Sequence, residues 1–274
     1  MGGQGQTEAK ELESLMAFWA DAGVDASYAD APVNRLTAPR KALEVPARPV
    51  AVATALILAR AAPFAADIGS AVEEARRAAG AATTLDELKE AIAAFDGCPL
   101  KFQGASQSVF ARGNPEAPVM IIGEGPGADE DRLGEPFVGR AGKLLDKMLK
   151  AAGLEDRVFI TNTVFWRPPG NRTPTLAEQA VCRPFLESAV FLIKPKLLLL
   201  VGGAASKSVL GADDGIMSLR GRWFEWSDAE KRLILPVLPT LHPAFLLRTP
   251  QAKKLAWFDI LTFVERLDRP ERVP

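Results

Sequence analysis

The sequence predicts an α/β fold: a three-layer α/β/α sandwich on a short, mostly parallel central sheet, with an Ala-rich helical N-terminal extension. The extension is expected over residues 1–97 and the sandwich over 98–274. Three observations lead there. From Cys98 onward, apolar runs of strand length alternate with stretches of helical periodicity. One of those runs, Leu197-Leu-Leu-Leu-Val201, is apolar at every position, as suits a parallel strand buried on both faces. Finally, each polar segment able to carry chemistry follows a predicted strand, which gathers them at one edge of the sheet.

Residues 8–22 read as an amphipathic helix with Leu12, Leu15, Met16 and Trp19 at three- and four-residue spacings. An extended connection carrying Pro32, Pro39, Pro46 and Pro49 follows. Helices are expected at 65–79 and 84–96, the second opened by the capping box Thr84-Leu-Asp-Glu87. The extension carries no nameable chemistry and reads as scaffold or partner arm. In the sandwich, strands are expected at 118–123, 157–161, 196–201 and 234–240, and helices at 140–152, 175–192, 203–210 and 250–267. Gly153 stands where the first of these helices should stop, and Thr175-Leu-Ala-Glu178 is a second capping box. Trp223 to Ile234, with Ser227-Asp228-Ala229 in its middle, reads as a hairpin insertion.

Composition narrows the class without naming it. A 48% hydrophobic and 24% charged chain is an ordinary globular one. Two cysteines cannot make a disulfide framework, and Val50 to Ala59, the longest apolar stretch, is about half of what a bilayer needs. The first residues lack the basic and apolar regions of a signal peptide, so a cytoplasmic protein with no membrane contact is expected. Charge is uneven: 9 Lys/Arg against 14 Asp/Glu in residues 1–97 give −5, and 24 against 20 in residues 98–274 give +4. That permits a basic face on the second part without demanding one.

Three segments after strands carry the candidate chemistry. The first, Gly123-Glu-Gly-Pro-Gly-Ala-Asp-Glu-Asp131, packs three glycines into five positions and adds Glu124, Asp129, Glu130 and Asp131. Four carboxylates would repel a polyphosphate, so the loop suits a neutral ligand or charge that develops during a reaction. Phe137, in the polar stretch that follows, is either core or a platform for a planar ring. The second segment starts at Asn162 and continues into Arg167-Pro-Pro-Gly-Asn-Arg172. Asn162 is either a turn residue or a reader of a polar edge. Its carboxamide donates and accepts in one plane, matching N3–H and O4 of uracil and mismatching cytosine. The third is His242-Pro-Ala-Phe-Leu-Leu-Arg248, with the sole histidine of the chain. Pro243 pushes His242 out of helical geometry, at a helix N-terminus that would keep the imidazole neutral. His242 is thus either structural or a hydrogen-bond donor to a ligand. One His and two distant Cys offer no zinc site, and the glycine spacing fits neither a dinucleotide nor a Walker loop.

These segments, in this order, resemble the uracil-DNA glycosylase superfamily, closest to its bacterial family 4. The resemblance rests on Glu124-Gly-Pro-Gly-Ala-Asp-Glu-Asp131, Pro136-Phe-Val-Gly-Arg-Ala-Gly142, Thr161-Asn162, Arg167-Pro-Pro-Gly-Asn-Arg-Thr-Pro174 and His242-Pro-Ala-Phe-Leu-Leu-Arg248, across roughly residues 98–267. It implies a monofunctional enzyme that flips uracil out of DNA and hydrolyses its N-glycosidic bond, leaving an abasic site. Its partners would be uracil-containing DNA and the abasic product, met by a monomer. By the same resemblance Gly125 would present its backbone to uracil, Phe137 would stack on it and Asn162 would read its edge. His242 would stabilise charge on O2, while Glu124 and Glu130 would position water or support the sugar cation. Asn171, Arg172 and Arg248 would meet the DNA.

The sequence also departs from that pattern. Family 4 members hold an iron–sulfur cluster on four cysteines, and the corresponding positions here are Phe95, Cys98, Trp166 and Cys182. Phe and Trp cannot replace thiolates, so no cofactor and no metal are expected, with two reduced, buried thiols and two aromatic side chains filling the volume. One branch of the superfamily traps DNA covalently through a histidine in an insertion near the Arg-Pro-Pro segment; none stands there in this chain, so covalent capture is not expected. The alternative is a uracil- or abasic-DNA-binding protein with slow or single-turnover activity.

Overall fold

The structure, a computed structural model, describes residues 68–228 and 231–272. The expected helix at 8–22, the proline-containing connection and the start of the helix expected at 65–79 lie outside the described residues.

The described residues begin with α1 (Ile68–Ala81) and α2 (Leu85–Ala94). Thr84 caps α2 by accepting from the Glu87 amide. The reciprocal half of the expected capping box shifts by one residue: the Glu87 carboxylate accepts from the Thr83 amide and hydroxyl at 2.7 and 2.8 Å. A short edge strand β1 (Ala111–Gly113) precedes β2 (Val119–Gly123), α3 (Ala128–Leu133), α4 (Arg140–Ala151) and β3 (Val158–Asn162). Then come α5 (Leu176–Ile193), β4 (Leu197–Val201), α6 (Gly203–Leu210) and α7 (Ile216–Leu219). The hairpin β5 (Phe224–Ser227) and β6 (Ile234–Thr240), then α8 (Pro243–Arg248) and α9 (Lys253–Asp268), complete the described fold.

The six strands form one sheet in the order β1-β3-β2-β4-β6-β5. The four inner strands are parallel, and β1 and β5 close the two edges antiparallel. The expected sandwich is therefore present, and each of the four predicted strands lies within a residue of its expected bounds. Alternation along the strands explains the two packed faces. Met120, Ile122, Phe159, Leu198 and Leu200 join a core with α1, α2 and α5. Val119, Ile121, Val158, Ile160, Leu197 and Leu199 join the opposite core with α4 and α9.

Two features refine the expected organisation. Ala75, Ala79, Leu88 and Ile92, from the two helices assigned to the extension, belong to the same core cluster as the sheet, so packing continues across the expected boundary at 97/98. In addition, β1 and α3 were not expected. β1 is three residues long and reads Ala-Arg-Gly, with no apolar alternation to mark it.

Candidate active site

Strand register builds the site. Gly123, the last residue of β2, stands directly beside Asn162, the last of β3. Thr163 then ties the two loops together, its amide donating to the Gly123 carbonyl at 2.9 Å and its hydroxyl to the Glu124 carbonyl at 2.6 Å. β6 ends at Thr240, which delivers His242 as the N-cap of α8. At the end of β4, Gly202 adopts φ 99°, and a Cβ there would lie 3.0 Å from that of His242.

A cavity of about 500 Å³ opens at this edge. Glu124, Gly125, Glu130, Phe137, Asn162, Asn171, Arg172, His242 and Arg248 all line it, so every residue expected at the site is brought to one place. Pro168, Pro174 and Phe245 complete much of the wall.

Asn162 is 1% exposed, and its Oδ1 has no hydrogen-bond partner, the sole such buried side-chain atom among the described residues. Leaving a buried acceptor unpaired costs about 1–3 kcal/mol, a cost that a ligand N–H would cancel. Gly123 makes room for this amide. A Cβ there would stand 2.5 Å from both Asn162 Oδ1 and the Phe137 ring.

Phe137 is neither core alone nor exposed platform alone: it packs into the core and also lines the cavity. Its ring stacks on the His242 imidazole, with centroids 5.8 Å apart and planes at 30°. The backbone carries it there in the left-handed region, φ 55°, at a cost of roughly 1–2 kcal/mol for a non-glycine residue.

His242 Nδ1 accepts from the Ala244 amide at 3.1 Å. A neutral imidazole that accepts on Nδ1 carries its proton on Nε2. Burial, reinforced by the Arg248 charge and opposed by Glu130, pulls the His242 pKa from 6.5 to about 4. The ring is neutral across the neutral pH range.

The four loop carboxylates divide by role. Asp131 is buried and accepts from the Ser106 amide and hydroxyl at 2.8 and 2.9 Å, and Asp129 pairs with Arg132 at the surface. Neither lines the cavity, which corrects the expectation of four carboxylates facing a ligand. Glu130 does line it, yet its two oxygens accept from the amides of Gly127 (3.1 Å) and Gly139 (2.9 Å), joining the glycine loop to the Phe137 loop. Glu124 lines the cavity and has no side-chain hydrogen bond among the described residues.

The three residues expected at DNA differ in freedom. Arg172 makes a bidentate ion pair with Glu178, at 2.8 and 2.6 Å, while Glu178 also caps α5 through the Thr175 amide. Burial works to raise the Glu178 pKa, but Arg172 and the Thr175 amide outweigh it and the net shift is downward. Asn171 sits at φ 54° and accepts from Arg167 Nε at 2.7 Å. Arg248 forms no ion pair among the described residues and is exposed. Sequence reasoning missed Arg112, whose guanidinium holds the Phe137 loop from β1. Its partners on that loop are backbone carbonyls, which leave no trace in residue identity.

Away from the cavity, Cys98 and Cys182 are buried and unbridged, with sulfurs 3.9 Å apart. Phe95 and Trp166 are buried in the same core. Phe95 meets Phe185 edge-on, with centroids 5.1 Å apart, and Trp166 meets Phe165 likewise at 6.4 Å. Two thiols and two packed aromatic rings do not fit a cluster that needs four thiolates. Among the described residues no group of three or more His, Cys, Asp or Glu could hold a metal ion, and no helix is long and apolar enough to cross a membrane.

Residues 110–262 match the family described as the Uracil DNA glycosylase superfamily. The chain is 39% identical over 195 residues to a type-4 uracil-DNA glycosylase of Sulfurisphaera tokodaii, covering 69% of this chain and 87% of that protein. It is 41% identical over 153 residues to one of Thermotoga maritima, covering 55% and 77%. With one of Pyrobaculum aerophilum the identity is 37% over 172 residues, covering 61% and 86%.

Proposed function

This chain belongs to the uracil-DNA glycosylase superfamily, and from that premise we propose that it is a monofunctional uracil-DNA glycosylase without an iron–sulfur cluster. It acts on uracil-containing DNA, leaves an abasic site and works as a cytoplasmic monomer. The observation that carries this reading is the unpartnered, buried Oδ1 of Asn162 beside the Phe137 ring and the His242 imidazole.

The target bond lies inside a stacked duplex, so the base is first rotated out at a cost of about a few kcal/mol. Once in the cavity, uracil lies on Phe137. Its N3–H donates to Asn162 Oδ1, and its O4 accepts from the same carboxamide. Cytosine would set a lone pair against Oδ1 and leave that acceptor unpaired, which is the kind of mismatch a polar site rejects strongly. As the C1′–N1 bond breaks, its electron pair moves onto the base. His242 Nε2–H donates to O2, where part of that charge collects, and the Gly125 backbone adds a further dipole. A donor placed this way is worth about 2.7–4 kcal/mol, and it needs no proton transfer. Glu124 faces the sugar, where it favours the cation and orients the water that adds to C1′. Glu130 holds the glycine loop in shape through the Gly127 and Gly139 amides. Among the described residues no lysine lines the cavity to offer an amine for a Schiff base with C1′, in keeping with hydrolysis alone.

The test is release of free uracil from a uracil-containing oligonucleotide in the presence of chelator. The expected result is an alkali-labile abasic product, no strand cleavage without alkali and no protein–DNA band shift on a denaturing gel. Asn162→Ala and His242→Ala should each abolish or greatly reduce release; full turnover by both would overturn the roles given to them. Protein purified without oxygen should carry no stoichiometric iron or sulfide. A visible absorption band with stoichiometric iron would refute the cluster-free reading while leaving the glycosylase reading intact.

A further inference from the structure

We propose that Arg112, backed by Asp146, is the positioning residue that fixes the Phe137 ring for the base. The assignment rests on the uracil reading above and adds a residue to it. Arg112 lies outside the cavity lining and reaches the base platform only through the backbone.

Its place in the fold makes this role available. β1 is a three-residue edge strand whose Arg112 pairs with Ile160 of β3, so its Cα is fixed by the sheet. From there the side chain spans to the Phe137 loop. Nε donates to the Pro136 carbonyl at 2.8 Å, and Nη2 donates to the Phe137 carbonyl at 3.2 Å and to Asp146 Oδ1 at 2.6 Å. Asp146 belongs to α4, the helix that follows this loop. One guanidinium therefore joins the sheet edge, two successive carbonyls and the next helix. A planar fork of five donors can do this and a single ammonium cannot.

The grip falls where the chain most needs it. Phe137 occupies a left-handed conformation that a residue with a large side chain rarely adopts unless its surroundings impose it. Its carbonyl is held from one side by Arg112. From the other it is pressed by the first turn of α4, where Gly142 is bare because any Cβ would collide with that carbonyl. With the carbonyl trapped, the peptide plane is set and the ring is directed over Gly123 and onto His242. Glu130 anchors the far end of the same loop at the Gly139 amide. Among the described residues no other group donates to that carbonyl, so without the arginine the ring can leave the plane that stacking requires.

The experiment uses the full chain and the variants Arg112→Ala, Arg112→Lys and Asp146→Asn, with Arg157→Ala as control. Arg157 makes a comparable ion pair with Asp268 at 2.6 Å, away from the cavity. Two readouts are taken: kcat and KM for uracil release, and the ring-proton resonances of His242, which are unambiguous because the chain has one histidine. Arg112→Ala is expected to lower kcat on the order of tenfold to a hundredfold, the scale of a misplaced reacting geometry, with little change in KM for DNA. The same variant should move the His242 resonances downfield as the Phe137 face withdraws. Arg112→Lys and Asp146→Asn should show smaller effects in the same directions, and Arg157→Ala none. Wild-type kcat and unshifted His242 resonances in both Arg112→Ala and Asp146→Asn would overturn the proposal. So would a loss in Arg112→Ala that disappears at low temperature, since that is the mark of a merely structural residue. If Arg112→Ala does not fold, the two milder variants carry the same readouts. A wild-type protein that releases no uracil would end the glycosylase reading, whereas the resonances would still report on the clamp.

Discussion

At the C-terminal edge of the sheet, nine expected residues line one cavity. On the α1–α2–α5 face of that sheet, Phe95 and Trp166 hold two of the four positions that the resemblance matches to cluster cysteines. The first region depends on backbone: Gly123 and Asn162 are neighbours because β2 and β3 are in register, and His242 arrives because β6 ends beside β4. The second depends on filling space. Each buried aromatic ring contributes about 1.5–3 kcal/mol of apolar transfer. Trp166 lies immediately before the Arg167–Arg172 segment, and Cys182 lies one helical turn beyond Glu178, which holds Arg172. The comparison teaches that strand register sets the cavity, whereas side-chain volume sets the core behind it.

Three measurements would break or sharpen that contrast. The largest effect is expected on stability: Trp166→Ala leaves a void in a packed core and should cost about 3–5 kcal/mol in denaturant unfolding. The folded fraction should keep near-normal kcat; a proportional loss of kcat would mean that the two regions are not separable. The opposite pattern is expected at the cavity, where Asn162→Ala and His242→Ala should slow uracil release by about 10²–10³-fold while the unfolding midpoint stays close to that of the parent. Asn162→Ala should even recover part of the cost of its unpaired acceptor.

The smallest effect is a titration. The single histidine should titrate near pH 4 by NMR, because burial first and Arg248 second disfavour its cation. Arg248→Ala should raise that value. The sign for stability follows from linkage: between pH 6.5 and about 4 the unfolded chain takes up a proton that the folded one refuses. Stability from this group is therefore complete above pH 6.5 and is lost as pH falls through that window. An ordinary His242 pKa would remove the argument for a neutral donor.

Much of this could be read from residues alone. Apolar runs fixed the four parallel strands because strands buried on both faces leave a continuous signal, as in Leu197–Val201. The N-cap of α2 and the full capping box of α5 could be read because their hydrogen bonds are local. What escaped was non-local or too short for periodicity. α3 is six residues of mostly charged sequence inside a loop read for its carboxylates. The separation of Asp131 from Glu130 depends on Ser106, 25 positions away. The left-handed Phe137 and its arginine clamp depend on a carbonyl contact between β1 and a distant loop. The helix expected at 8–22 lies outside the described residues.

The clasp between Glu178 and Arg172 has a consequence of its own. One carboxylate both starts α5 and neutralises a cation in the cavity wall, so helix end and wall cannot drift apart independently. A proton on that carboxylate would release both together and turn an internal counter-charge outward, where a phosphate could claim it. Acid would thus make this wall stickier toward anions but less fixed in shape.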